Sequence, residues 1–96
     1  MLDLTATQLA SDQLRALRDA NPELFGIISD RLTAIREDPG GKQAGRTFLL
    51  DDGTTARLAT YFDHVAGTEL ALVWQVVVDE ATRTGAVKVV RVQYVT

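Results

Sequence analysis

Gly45-Arg46-Thr47-Phe48-Leu49-Leu50, Thr54–Phe62, Glu69–Asp79 and Ala86–Val95 fill the C-terminal half of the chain with β-branched and apolar residues, and turn residues separate the runs. Leu70-Ala71-Leu72-Val73-Trp74-Gln75-Val76-Val77-Val78 is the most apolar of them and reads as a central strand covered on both faces. Leu50-Asp51-Asp52-Gly53-Thr54 is a hairpin signal, because Asp-Gly suits the positive backbone angles of a two-residue turn. Asp63–Thr68 reads as a looser connection and Glu80–Gly85 as a longer hairpin loop, with Ala86–Val95 closing the sheet.

The residues before this meander carry a different period. Met1–Leu4 alternates apolar and polar, as a short edge strand does. Thr5-Ala6-Thr7-Gln8 fits a capping box, and the first helix is expected from about Ala6 to Ala20. Its stripe of Leu9, Ala10, Gln13, Ala16, Leu17 and Ala20 is thin and rich in alanine. Asn21-Pro22-Glu23 starts a second helix: Asn caps, Pro is preformed at the first position, and Glu complements the dipole. Phe25, Ile28, Leu32 and Ile35 form its seam, and Glu37-Asp38-Pro39-Gly40-Gly41 ends it. A link this short makes the two helices an antiparallel hairpin. Gly40 to Gly45 is a flexible bridge carrying Lys42. The expected fold is a single α+β domain over residues 1–96, an N-terminal helical hairpin packed on a mostly antiparallel sheet of four to five strands.

Ninety-six residues suffice for one core without metal or disulfide. The absence of cysteine excludes thiol catalysis, disulfides and cysteine-ligated zinc, and a single histidine excludes a multi-histidine metal site within one chain. No cofactor is expected. No apolar run approaches the length of a membrane span, and Met1-Leu2-Asp3-Leu4 lacks the start of a signal peptide, so a soluble cytoplasmic protein is expected. The net charge of −3 argues against a nucleic-acid binder, because phosphate affinity needs a concentrated positive field. Its distribution is uneven: residues 1–38 hold four basic and seven acidic side chains, residues 39–96 six of each. In the second half the acids fall in turns and at strand ends, whereas Arg46, Arg57, Lys88 and Arg91 fall within strands. The sheet is expected to carry a modest positive stripe, either solvated or ready for phosphate.

There is no phosphate-cradling glycine loop, no HExxH and no serine elbow; Ser11 and Ser29 fall on helices away from His64. A histidine can serve as a general base, because free imidazole titrates near neutral pH, but the place of His64 in a loop reads better as a solvated side chain. Trp74 reads as core. Strict alternation puts Lys88, Val90, Val92 and Tyr94 on one face, where a cation and a phenol can hold a phosphate and stack a base. The competing reading packs the Tyr94 ring at the sheet border.

The layout resembles the RelE/ParE superfamily of toxin–antitoxin toxins over nearly the whole chain. Met1–Thr5 corresponds to the opening strand, and Asp30-Arg31-Leu32-Thr33-Ala34-Ile35-Arg36-Glu37-Asp38-Pro39 to the second helix with its "L-x-x-L-x-x-x-P" ending. Ala56-Arg57-Leu58-Ala59-Thr60-Tyr61, Leu70-Ala71-Leu72-Val73-Trp74-Gln75-Val76 and Ala86–Val95 are similar to the strands that follow. The resemblance implies a toxin neutralised by a cognate antitoxin that wraps it with helix and strand segments. It implies either a ribosome-dependent mRNA endoribonuclease or a gyrase inhibitor. In the nuclease, Arg57, Arg91 and Tyr94 would be catalytic, and Arg46 and Lys88 would bind RNA. The set is incomplete: Ala71 and Ala59 stand where members carry basic residues, and no arginine follows the closing strand. A non-enzymatic binding module of the same fold is the alternative, favoured by the acidic balance.

Overall fold

A computed structural model describes residues 2–38, 46–79 and 84–95. The order is β1 (Asp3–Ala6), α1 (Gln8–Ala20), α2 (Pro22–Glu37), β2 (Arg46–Leu49), β3 (Thr55–Asp63), β4 (Thr68–Asp79) and β5 (Thr84–Tyr94). The Gly40–Gly45 bridge and most of the Glu80–Gly85 loop lie outside the described residues.

The helices begin and end where local chemistry allows. The Thr7 side chain accepts from the Ala10 amide at 3.1 Å, so Thr7, not Thr5, caps α1, and the expected Thr5–Gln8 box does not form. Asn21 serves both helices. Its amide donates to the Leu17 carbonyl at 2.7 Å, and its Oδ1 accepts from the Leu24 amide at 3.2 Å. Pro22 then opens α2 at a position that needs no N–H.

The sheet runs β1-β5-β4-β3-β2. β2–β3, β3–β4 and β4–β5 are antiparallel, whereas β1 pairs parallel with β5 from Asp3↔Ala86 to Ala6↔Val89. The sheet is therefore mixed, rather than mostly antiparallel as expected. Local alternation in Met1–Leu4 marks a strand but carries no record of its partner, which lies at the far end of the chain. The most apolar run is the central strand, but the helices cover only its Leu70, Leu72 and Trp74 side, and Ala71 and Val73 border a cleft on the other, so it is not covered on both faces as expected. The β2–β3 hairpin turns at Gly53 with φ +83, the left-handed region that glycine enters without strain.

A register shift between Val73 and Trp74 sets the facing of β5. Val73 pairs with Arg91 and Trp74 with Val89, so Val90 is an extra residue on β5. On one side of this bulge Val87 and Val89 face the helices. On the other side Val92 and Tyr94 do, together with Leu70, Leu72 and Trp74 of β4. Against them pack Ala10 and Leu17 of α1 and Leu24, Ile28, Leu32 and Ile35 of α2. The α2 seam matches expectation except that Leu24 is buried and Phe25 only half-buried. The α1 stripe is narrower than expected: Leu9, Ala16 and Ala20 stay exposed, and Leu14 packs at the core margin. Among the described residues no helix is long and apolar enough to cross a membrane.

Ile28 is completely buried between the layers. Ile28→Ala should cost about 3 kcal/mol, measured as a lower denaturation midpoint with an unchanged slope. A loss under about 0.5 kcal/mol, the size of a surface substitution, would contradict this packing.

Candidate functional site

The expected site residues divide between the two faces of the sheet. Strand pairing places Arg57 directly across from Trp74, on the side that faces the helices. Arg91 lies opposite Val73, and Lys88 opposite Gln75, on the other side. Arg46 pairs with Leu58, next to Val73, and shares that side. Arg46, Lys88 and Arg91 therefore gather on the open face, but Arg57 does not join them. The expectation from strict alternation fails at Val90. The bulge brings Lys88 and Arg91 to one face although they stand three positions apart, and it turns Val92 and Tyr94 toward the helices.

The open face holds an apolar-floored cleft of about 410 Å³ formed by Leu58, Ala71, Val73, Arg91, Gln93 and Tyr94. Arg91 and Tyr94 border it together, with no histidine among the residues lining it. Asp52 is held below the usual carboxylate range, first by hydrogen bonds from the Thr54 hydroxyl and amide, and also by the charge of Lys88.

The Tyr94 hydroxyl is committed elsewhere. It donates to Asp63 Oδ2 at 2.6 Å. Asp63 is 1 % exposed and also accepts, at Oδ1, from Asn21 Nδ2 at 2.9 Å and from the Val65 and Ala66 amides at 2.9 and 3.1 Å. The Tyr94 hydrogen bond, helped by the Ala66 amide, Asn21 and the Val65 amide, outweighs desolvation and holds the Asp63 carboxyl at about 2. The same bond, with burial, raises the Tyr94 pKa. A phenol that donates to a carboxylate gives up its proton less readily, and the same bond ties the end of β5 to the end of β3.

Two buried polar atoms lack partners among the described residues, Tyr61 Oη and Trp74 Nε1. Burial raises the Tyr61 pKa, partly countered by the Arg31 guanidinium, which lies 6.0 Å from the ring centroid. His64 is exposed and meets Phe62 edge-on at 4.8 Å, as a loop residue without a catalytic neighbour would. Among the described residues no group of three acidic or histidine side chains could hold a metal ion.

The sequence puts Asp63 in a turn and gives no sign that it is buried. One signal was available: an Asp followed by His64-Val65-Ala66-Gly67, with glycine at φ +73, fits a side chain that bonds amides two and three residues on. Nothing local points to Tyr94 or Asn21 as partners. No protein-family model matches the chain, and no curated protein or solved structure matches it.

The acid behaviour of the joint follows from its sign. The Asp63 carboxyl is lowered from 3.8 to about 2 in the folded chain, so the stability it contributes is present above the unfolded value and lost as pH falls through the folded one. The urea midpoint of the wild type should drop between about pH 4 and pH 2 more steeply than that of Asp63→Asn. Tyr94→Phe should lower the neutral-pH midpoint and shrink the same acid loss. Parallel pH curves for all three proteins would contradict this assignment.

Proposed function

We propose that this chain is the toxin of a type II toxin–antitoxin system with the RelE/ParE-like layout, and that it acts by binding its target, as a gyrase inhibitor does, rather than by cutting RNA. The order of elements supports the likeness: a short strand, a helical hairpin and then four strands. The observation that carries the mechanism is the separation of the residues a nuclease would need. Arg57 lies on the helix-facing side of the sheet, Arg91 on the open side, and the Tyr94 proton is held by Asp63. RNA cleavage through a 2′-hydroxyl needs cations around one phosphate and a group that moves a proton. A protein that binds and blocks needs neither.

The nuclease remains a second reading because Arg91 and Tyr94 border one cleft. Under it, Arg91 and Lys88 would hold phosphate on the open face, with Arg46 at its far margin. A cognate antitoxin is the proposed partner in both readings, and the cytoplasm the proposed compartment.

Induced expression in bacterial cells separates the readings. Growth arrest with a DNA-damage response, intact ribosome-bound message and rescue by a small adjacent gene product is the expected result. Message cleavage that disappears in Arg91→Ala would overturn the binding mechanism in favour of the nuclease. Harmless expression would overturn the toxin assignment.

A further inference from the structure

The joint around Asp63 shapes a piece of surface as well as an interior. Asn21, at the start of α2, donates to Asp63 Oδ1 at 2.9 Å, and the Val65 and Ala66 amides bond the same oxygen. The first turns of α2 and the turn after β3 are therefore held side by side. Between them lies a hollow of about 110 Å³, whose lining includes Glu23, Leu24 and Ile27 from α2 and Phe62, His64 and Val65 from the end of β3 and its turn. Three of these are large apolar side chains in contact with water: Ile27 is 50 % exposed, Phe62 52 % and Val65 70 %. Apolar side chains scattered singly over a surface are ordinary. Gathered around one hollow on a rigid frame, they mark a contact surface.

The charges on this surface select its occupant. Glu23 is exposed on the α2 wall and is the only acid lining the hollow among the described residues. His64 is exposed on the opposite wall and is the only basic side chain lining it. Its ring is steadied by Phe62, which it meets edge-on at 4.8 Å. Beyond Ile27 on α2 the next charged side chains are Asp30 and Arg31, adjacent and of opposite sign, and the Arg31 guanidinium lies 6.0 Å from the Tyr61 ring centroid. Asp63 itself is closed to solvent. A strongly acidic or basic partner would find no field of one sign here. A surface with an acid on one wall and a base on the other is instead complementary to its own copy. A two-fold axis through the hollow brings each Glu23 to the other copy's His64 and sets the apolar side chains against one another.

We propose that a second copy of the chain covers this surface, in a two-fold dimer centred on Ile27, Phe62 and Val65 with Glu23 of each copy against His64 of the other. The patch is small beside those of permanent dimers, so the association is weak and reversible. The Asn21–Asp63 bond sets the spacing of the two walls, and the interface depends on it. None of this rests on the toxin reading, which can fail without it.

Sedimentation of the full chain at neutral pH, from about 10 μM to about 1 mM, tests the proposal. The wild type should pass from monomer to dimer across this range, and its Ile27 and Val65 methyl resonances should shift with concentration. Val65→Asp changes an exposed turn residue. It should weaken the dimer by at least about tenfold and leave the circular dichroism and the urea midpoint unchanged. His64→Glu sets two acids against each other at each end of the interface and should weaken it similarly. Adding Glu23→Lys to the same chain should recover the dimer, because the charges are then exchanged rather than lost. Leu9→Asp, at an exposed apolar residue of α1 outside the patch, should leave association unchanged. A chain that stays monomeric at about 1 mM would overturn the proposal. So would an undiminished dimer in Val65→Asp, an equal loss in Leu9→Asp, or a folded double variant that recovers nothing.

Discussion

One buried carboxylate joins the parts of this fold that are remote in sequence. Asp63 ends β3, and its two oxygens gather the Asn21 amide from the helix junction, two backbone amides from the following turn, and the phenol that ends β5. Asn21 is shared with this joint. Its oxygen caps α2 while its nitrogen donates to Asp63, so the angle between the helices and the end of the sheet are tied through one side chain. Four donors around one anion meet the demand that a buried charge be compensated. An uncharged residue there would accept fewer hydrogen bonds and leave donors unmet in a site closed to water.

The second constraint is the extra residue at Val90. A regular β5 would place its phenol beside its lysine and leave Arg91 on the opposite side. The bulge reverses this, and the reversal separates structure from surface. Tyr94 goes to the helix side, where Asp63 fixes it. Arg91 and Lys88 go to the open side, where the floor is Leu58, Ala71 and Val73. The open face brings Leu58, Ala71 and Val73 together with Arg46, Lys88 and Arg91. The same bulge lies near the point where β1 leaves the edge of β5, beyond which β5 pairs only with β4 among the described strands.

Much of the architecture was legible in the sequence because it rests on local signals. The Asn21-Pro22 start of α2 and the central place of the apolar run from Leu70 to Val78 each carry their own physical instruction and stand as expected, whereas the hairpin turns at the expected place but through three residues, Asp51 to Gly53, rather than two. The failures share a cause. The parallel pairing of β1 with β5, the burial of Asp63 and the facing of Tyr94 all depend on residues far along the chain or on a single inserted residue. Alternation of apolar and polar side chains gives no warning of a bulge within Val87-Lys88-Val89-Val90-Arg91-Val92, where valine occupies both faces. The α1 stripe is narrower than its spacing implies: Leu9, Ala16 and Ala20 stay exposed, and Ala16 and Ala20 border a groove beside β5.

The account turns on Asp63 remaining ionised inside the fold. Titration of its side-chain carboxyl carbon by nuclear magnetic resonance in the folded chain measures this without any substitution. A midpoint near 2 is the result the joint requires. A midpoint at the ordinary value of 3.8 would mean that the helix junction, the turn and the β5 phenol are not held by this carboxylate.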